Sequence, residues 1–437
     1  KVITITLRDN ATWHDGSPVT AEDVKWSLDR AVSAKSLAQP QFTTGSLTKP
    51  EQFQIVDAKT LTVTLDKPDR LALANLCVPY AIMVNSKLAK KNATAEDPWA
   101  QEWMKANTAA SGAYIVESHK AGESTVLRRN EKWVGGPDGA LPNFKRIIIQ
   151  TVPEPATRAN LVERGDADLS IDLAAADLPT IEKSTKAKLV SMPQTNGFTH
   201  VSMNTQLAPF DNVKVRKAVA AALPYEDMFK AAIFERGRKL YGADWSTTPP
   251  DPSFPQPIPN KTDPALAKKL LAEAGFPNGF STTFAFNVGA AATAEPMAAL
   301  LKESLGKVGI QVEIQKKPDA EFNTLASERK MPFFADGATA WLPYTYYFFY
   351  LYFTREQRWN FSSFKSTKME ELTLDARYQT DKAKYDDDCL KMIEIFAAET
   401  PLIMLWQPNH DAAMAKSVDG YTYQFYRQAD FRDLKRV

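Results

Sequence analysis

Between Trp341 and Phe353 the chain gathers Trp341, Tyr344, Tyr346, Tyr347, Phe348, Phe349, Tyr350 and Tyr352. Flat π-faces with phenolic hydroxyls suit sugar rings, aromatic acids or chelates, where a ring pair contributes about 0.5–1.5 kcal/mol beyond area burial. The same spacing also suits packing within a core, and Phe348, Phe349 and Leu351 are read that way. Trp359-Asn360-Phe361 follows, with an amide that offers both a donor and an acceptor. Arg355 and Arg358 carry the guanidinium fork that clamps carboxylates, although arginines are more often plain surface residues.

Other chemistry lacks a constellation. The four histidines, His14, His119, His200 and His410, and the two cysteines, Cys77 and Cys389, fall at no metal-ligand spacing, so neither a metal site nor a cofactor is expected. His14 reads as a structural hydrogen-bonder in a polar turn. Asp386-Asp387-Asp388 reads as a solvated helix face. There is no Gly-x-Ser-x-Gly elbow, no phosphate loop and no Gly-x-Gly-x-x-Gly after a strand, so nothing supports an enzyme.

Lys plus Arg total 53 against 52 Asp plus Glu, for a formal net charge of +1. That balance leaves no electrostatic footprint for nucleic acid or for an anionic membrane surface. No window approaches the roughly 20 apolar residues that span a bilayer. The 437 residues suffice for two or three domains.

The elements that would position these residues alternate between strand and helix. Lys1–Leu7 alternates like a mid-sheet strand, and Thr20 with Asp23 marks a capped helix start. Phe53–Val56 and Thr60–Leu65 form a hairpin pattern. Ser111–Val116, Ser124–Arg128 and Phe144–Thr151 read as strands, with a Gly- and Pro-rich loop at Asn130–Pro142. A helix near Ala156–Arg164 ends at Gly165, and Asp168–Ile171 suits a short buried strand. Phe198–Asn204 is a strand and Val213–Leu223 a helix. Thr247–Thr262 carries six prolines and reads as extended, solvated surface chain. Asp263-Pro264 opens a helix with Leu266, Leu270 and Leu271 inside, stopped by Gly275. Glu295–Val308 and Ala383–Ala398 read as helices, Ile310–Ile314 as a strand. The result is an α/β chain.

In order along the chain, several short motifs resemble those of the family-5 extracellular solute-binding proteins. They are Trp13-His14-Asp15-Gly16 with Pro18 to Val24, Ser111-Gly112-Ala113-Tyr114, Arg129-Asn130 with Trp133, and Asn204 with Pro209-Phe210-Asp211-Asn212-Val213 to Arg216. Glu273-Ala274-Gly275-Phe276 and Gly309-Ile310-Gln311-Val312 follow. The resemblance implies a periplasmic-binding-protein-like α/β fold of the class II, cluster C type, with two principal lobes, a hinge and an extra lobe. The extra lobe would take 1–112, lobe I 113–196 with 409–437, and lobe II 197–408. It also implies an N-terminal segment preceding Lys1.

By resemblance, Trp341 lies in the ligand cleft, and Tyr344 stands where peptide-binding members carry an Asp for the ligand's α-amine. Tyr346, Tyr347, Trp359, Asn360 and Phe361 join it as ligand-binding candidates. So do Trp406 and Gln407 on the strand returning to lobe I, and Asn204, read mainly as a turn residue. The implied function is capture of a small organic solute (a peptide, oligosaccharide, opine or aromatic compound) by hinge closure. Delivery to an ABC permease follows, by a monomer that is periplasmic or extracellular and membrane-tethered. A solute sensor or, more remotely, an extracellular hydrolase are the alternatives. A Cys77–Cys389 disulfide is disfavoured, because the two fall in different lobes.

Overall fold

The computed structural model describes residues 1–135, 139–355, 357–422, 424 and 429–437, so residues 136–138 of the loop at 130–142 lie outside the described residues. The chain divides into two compact units. Unit 1 comprises Lys1–Leu173, Pro179–Val190 and Ala412–Val437; unit 2 comprises Ala174–Leu178 and Ser191–Asp411.

Unit 1 opens with three antiparallel strands, β1 (Val2–Thr6), β2 (Phe53–Ile55) and β3 (Thr60–Thr64), in the order β1-β3-β2. The mid-sheet expectation for the first strand is corrected here. β3 is flanked on both sides and buries Leu61 and Val63 fully, whereas β1 ends the order with Ile3 and Ile5 half-buried. The helix Ala21–Ser33 starts at Thr20, whose N–H and hydroxyl both donate to Asp23, at 3.0 and 2.9 Å. A second antiparallel sheet follows, β4 (Tyr114–Lys120), β5 (Ser124–Arg129) and β6 (Arg146–Gln150). The helix Pro155–Arg164 ends on Gly165 at φ +88°, a conformation that favours glycine. β7 (Leu169–Ser170) pairs with β14 (Leu402–Ala415), and both its residues are half-buried rather than buried.

Unit 2 is built on a mixed sheet in which β10 (Gly237–Lys239), β14, β9 (Gly197–Met203), β13 (Phe333–Thr339), β11 (Ser281–Asn287) and β12 (Gln311–Lys317) follow one another; β8 (Ala187–Pro193) also pairs with β14. Strand β11 runs parallel to β12 and β13, while β9 runs antiparallel to β13 and β14. Alternation sorts the side chains of β9 and β13. Val201, Met203, Phe333 and Ala335 join the core formed with the helices Val213–Ala222, Tyr225–Ile233 and Ala291–Gly306. Phe198, His200 and Asp336 point to the opposite face.

Local signals fixed the helix Pro264–Glu273 well: Leu266 N–H donates to the Asp263 carboxylate at 2.9 Å, and Pro264 occupies the first position. Leu266 itself is 42% exposed, contrary to expectation, because the buried stripe runs through Ala267 and Leu271. The proline-rich stretch departs further from its reading. Phe254, Gln256 and Ile258 are buried, and the Phe254 ring meets Phe198, Phe348, Phe349 and Phe396 at 4.7 to 5.7 Å. Prolines set the backbone, but this one phenyl anchors the segment in an aromatic cluster. Cys77 and Cys389 are both free, the first exposed and the second buried. Among the described residues no helix is long and apolar enough to cross a membrane, and no cluster of His, Cys, Asp and Glu has the makings of a metal site.

Candidate functional site

The aromatic run divides at Tyr344. Trp341 and Tyr344 lie in the turn after β13 and are half-buried; Thr345 then opens the helix Thr345–Phe353, with Tyr344 as its extended N-cap. The Thr345 hydroxyl donates to the Pro252 carbonyl at 2.7 Å, tying the helix start to the proline-rich segment. Within the helix, Tyr346 and Tyr347 are 1% and 0% exposed. The Tyr346 ring meets Tyr385 edge-on at 6.2 Å. These two rings pack the interior of unit 2, as Phe348 and Phe349 do.

The loop 354–366 is organised by Asn360. Its amide donates to the carbonyls of Thr354 and Phe364 at 3.1 and 2.8 Å, and accepts from Phe364 N–H and the Ser362 hydroxyl at 3.0 and 3.1 Å. The donor and acceptor noted in the sequence are therefore both spent inside the loop. Trp359 is 44% exposed, with the Arg358 guanidinium 5.1 Å from its ring centroid, and Phe361 is half-buried beside it at 5.8 Å. Arg355 donates to Glu370 at 3.0 Å.

On β14, Trp406 is fully buried in the core near Phe229, at 6.0 Å. Gln407 is buried too, donating to the Gly197 carbonyl at 3.2 Å. Asn204 closes β9: its amide donates to the Arg329 carbonyl at 2.8 Å and accepts from Gln206 N–H at 3.0 Å. Asn204, Arg329, Arg355, Asn360 and Lys365 come together around a cavity of about 410 Å3 within unit 2. The structure thus joins Asn204 to Asn360, which sequence spacing did not suggest.

One residue of this region escaped the sequence reading. Asp336 lies on β13 directly opposite His200 on β9, half-buried, and accepts a hydrogen bond from Gly337 N–H at 2.8 Å. Burial pushes its carboxyl up to about 6, against the smaller opposing effect of that N–H. Burial likewise pushes His200 down to about 3, so its ring is neutral. The Tyr352 hydroxyl donates to the Thr339 carbonyl at 3.0 Å and accepts from Thr339 N–H at 2.8 Å; burial, with Asp336 nearby, raises its pKa. An acidic residue facing a histidine across two strands is invisible until the register is known.

This architecture is shared with solved binding proteins. A periplasmic binding protein, DppA from Helicobacter pylori, in complex with a peptide, superposes with a TM-score of 0.81 at 21% identity, over 100% of this chain and 86% of that one. AgaA from A. tumefaciens, in complex with agropinic acid, gives 0.77 at 23% identity, over 100% and 87%. In sequence, the probable D,D-dipeptide-binding periplasmic protein DdpA of Escherichia coli is 25% identical over 96% of this chain and 79% of its own length. The glutathione-binding protein GsiB of Pectobacterium atrosepticum is 29% identical over 71% of this chain and 57% of its own. The sequence signature of the bacterial extracellular solute-binding proteins, family 5, matches residues 1–360, and the chain belongs to that family.

Proposed function

We propose that the chain captures a small organic solute on unit 2 through Trp341 and Tyr344, and hands it to the membrane permease of an ABC importer. One observation carries this site reading. Trp341 and Tyr344 stay half-exposed at the end of β13, while Tyr346, Tyr347, Phe348, Phe349 and Phe353 of the helix that follows are buried in the interior. Binding surfaces of this kind are largely apolar, with a few polar groups that set orientation. Tyr346 and Tyr347 anchor the helix that follows this turn, and Gln407 ties β14 to Gly197, the partner of Thr339. Trp406 instead lies in the core, and Asn204, Asn360 and Phe361 gather toward the other end of β13.

Capture by hinge closure follows from the family resemblance, together with a three-lobe division at 1–112, 113–196 with 409–437, and 197–408. The chain passes between the two units four times, at 173/174, 178/179, 190/191 and 411/412. The passages at 190/191 and 411/412 suit such a hinge, because a few torsions in each absorb a rotation without shearing a core. A solute that binds the closed form better shifts the population toward it. No covalent step is required, and the site acts outside the cytoplasm as a monomer. Relatives are named for D,D-dipeptides and glutathione, and a solved neighbour holds agropinic acid. The solute is accordingly of that size, with an organic acid or peptide character.

A thermal-shift screen tests this over D,D-dipeptides, other di- and tripeptides, glutathione, opines, oligosaccharides and aromatic acids. A solute at about 100 times its dissociation constant adds roughly 2.7 kcal/mol to the folded state. Trp341→Ala is expected to weaken binding about tenfold, from lost stacking and lost burial. An unchanged affinity in that variant would remove Trp341 from the site.

A further inference from the structure

Three segments of unit 2 are stitched together at the end of β13 away from the aromatic turn. Asn204 N–H donates to the Pro332 carbonyl just before that strand, at 2.8 Å, and the strand's seven residues separate its two ends by about 20 Å. The Asn204 amide holds the Arg329 carbonyl, and the Arg329 guanidinium donates to the carbonyls of Gln357 and Asn360 at 3.1 and 3.3 Å. Thr205 donates from its N–H to the Ser362 carbonyl at 2.8 Å and from its hydroxyl to the Ser363 carbonyl at 3.1 Å. Arg329 and Ser363 are held at φ +56° and +54°, a region that favours glycine. Backbone fixed in such conformations by its neighbours gathers at ligand clamps and switch regions.

These segments frame the cavity of about 410 Å3, a volume within the range of roughly 300–1,000 Å3 usual for small-ligand sites. Arg329, Arg355 and Lys365 line it, and none of its lining residues is an acid. The imbalance is local, since the whole chain carries a formal net charge of +1. Among the described residues Arg329 and Lys365 form no ion pair, whereas Arg355 Nε has the Glu370 carboxylate at 3.0 Å. With Glu370 counted, two positive charges remain, which a dianion would cancel. Like charges on the walls of a concave surface focus the field on an incoming anion. Guanidinium forks match the oxygens of carboxylates and phosphates. Leu207 and Phe364 add apolar wall for a carbon skeleton.

We propose that this cavity is a second ligand site, separate from the aromatic turn, for a small organic anion bearing two or more negative charges as carboxylates or a phosphate ester. Arg329, already fixed by the loop carbonyls, meets the anion with little ordering cost. Arg355 and Lys365 stand at the two ends of the loop 354–366, so an anion between them ties those ends together. The proposal goes beyond the capture of the solute at Trp341 and Tyr344 and does not depend on it.

The test is isothermal titration of the full chain, at constant ionic strength, with glycerol 3-phosphate and with succinate. Glycerol and acetate serve as neutral and monovalent controls. Lys365→Ala loses no partner and Arg355→Ala only an exposed pair, so these variants and their double are expected to keep the thermal transition of the wild type. At least one dianion is expected to bind saturably, one per chain, and more than tenfold tighter than either control. Preference for glycerol 3-phosphate identifies a phosphate site, and preference for succinate a dicarboxylate site. Lys365→Ala is expected to weaken that binding about tenfold and the double variant about 100-fold, the loss of one and two charge-assisted contacts. Lys365→Arg is expected to restore most of the affinity, and Trp341→Ala to leave it unchanged. No saturable binding of either dianion, unchanged binding in the double variant, or loss of binding in Trp341→Ala would overturn the proposal. The solute-binding reading is tested apart from it, by the solutes of its own screen.

Discussion

Asp23 and Asp336 show how one residue type is put to opposite uses. At Asp23, burial raises the pKa, but the hydrogen bonds of Ser86 and Thr20 outweigh it and the carboxyl titrates below its usual range. A depressed carboxyl contributes stability that is present above its unfolded pKa and lost as pH falls through the folded value. Asp23→Ala is expected to cost about 2–4 kcal/mol, since it orphans several buried donors, measured by urea denaturation. Asp336 carries the other sign. Its carboxyl is raised to about 6, so the ligand-free chain loses stability as pH rises from the unfolded value through that point. Asp23 was legible in the sequence because its cap is local, three residues from Thr20. Asp336 was not, because its meaning depends on a histidine 136 residues away on a neighbouring strand.

Elements were legible where their signals were local. The caps at Thr20 and Asp263 and the stop at Gly165 mark helix ends within a turn, and the structure has them in place. The proline-rich stretch and the loop 354–366 were misread or only half read. Proline content reports on backbone, and it is silent about a side chain such as Phe254 that inserts into a distant cluster. Asn360 likewise offered a donor and an acceptor, but the sequence does not say that its own loop consumes both. Phe254→Ala is expected to destabilise the fold by about 3–5 kcal/mol. Asn360→Ala is expected to cost about 2 kcal/mol through orphaned backbone groups in the loop. Calorimetric unfolding of both variants checks the two values, and a neutral result for Phe254→Ala would mean the segment is anchored elsewhere.

For the molecule as a whole, the order of short motifs carried the family, and the match over residues 1–360 agrees with it. The ten residues named for the site were less uniform. Trp341, Tyr344, Trp359 and Phe361 keep accessible surface, while Tyr346, Tyr347, Asn360, Trp406, Gln407 and Asn204 are buried by packing or hydrogen bonds. A family motif says which segment matters, but the alternation of a strand and the pitch of a helix decide which side chains face outward. The central claim is reversible capture without chemistry. Its most direct measurement is isothermal titration with the solute that stabilises the chain most, followed by mass analysis of the solute recovered after release. The account predicts saturable binding of one solute per chain, weakened in Trp341→Ala, with the solute recovered unchanged. Recovery of a cleaved or altered solute, or the absence of saturable binding for every solute in the screen, would contradict it.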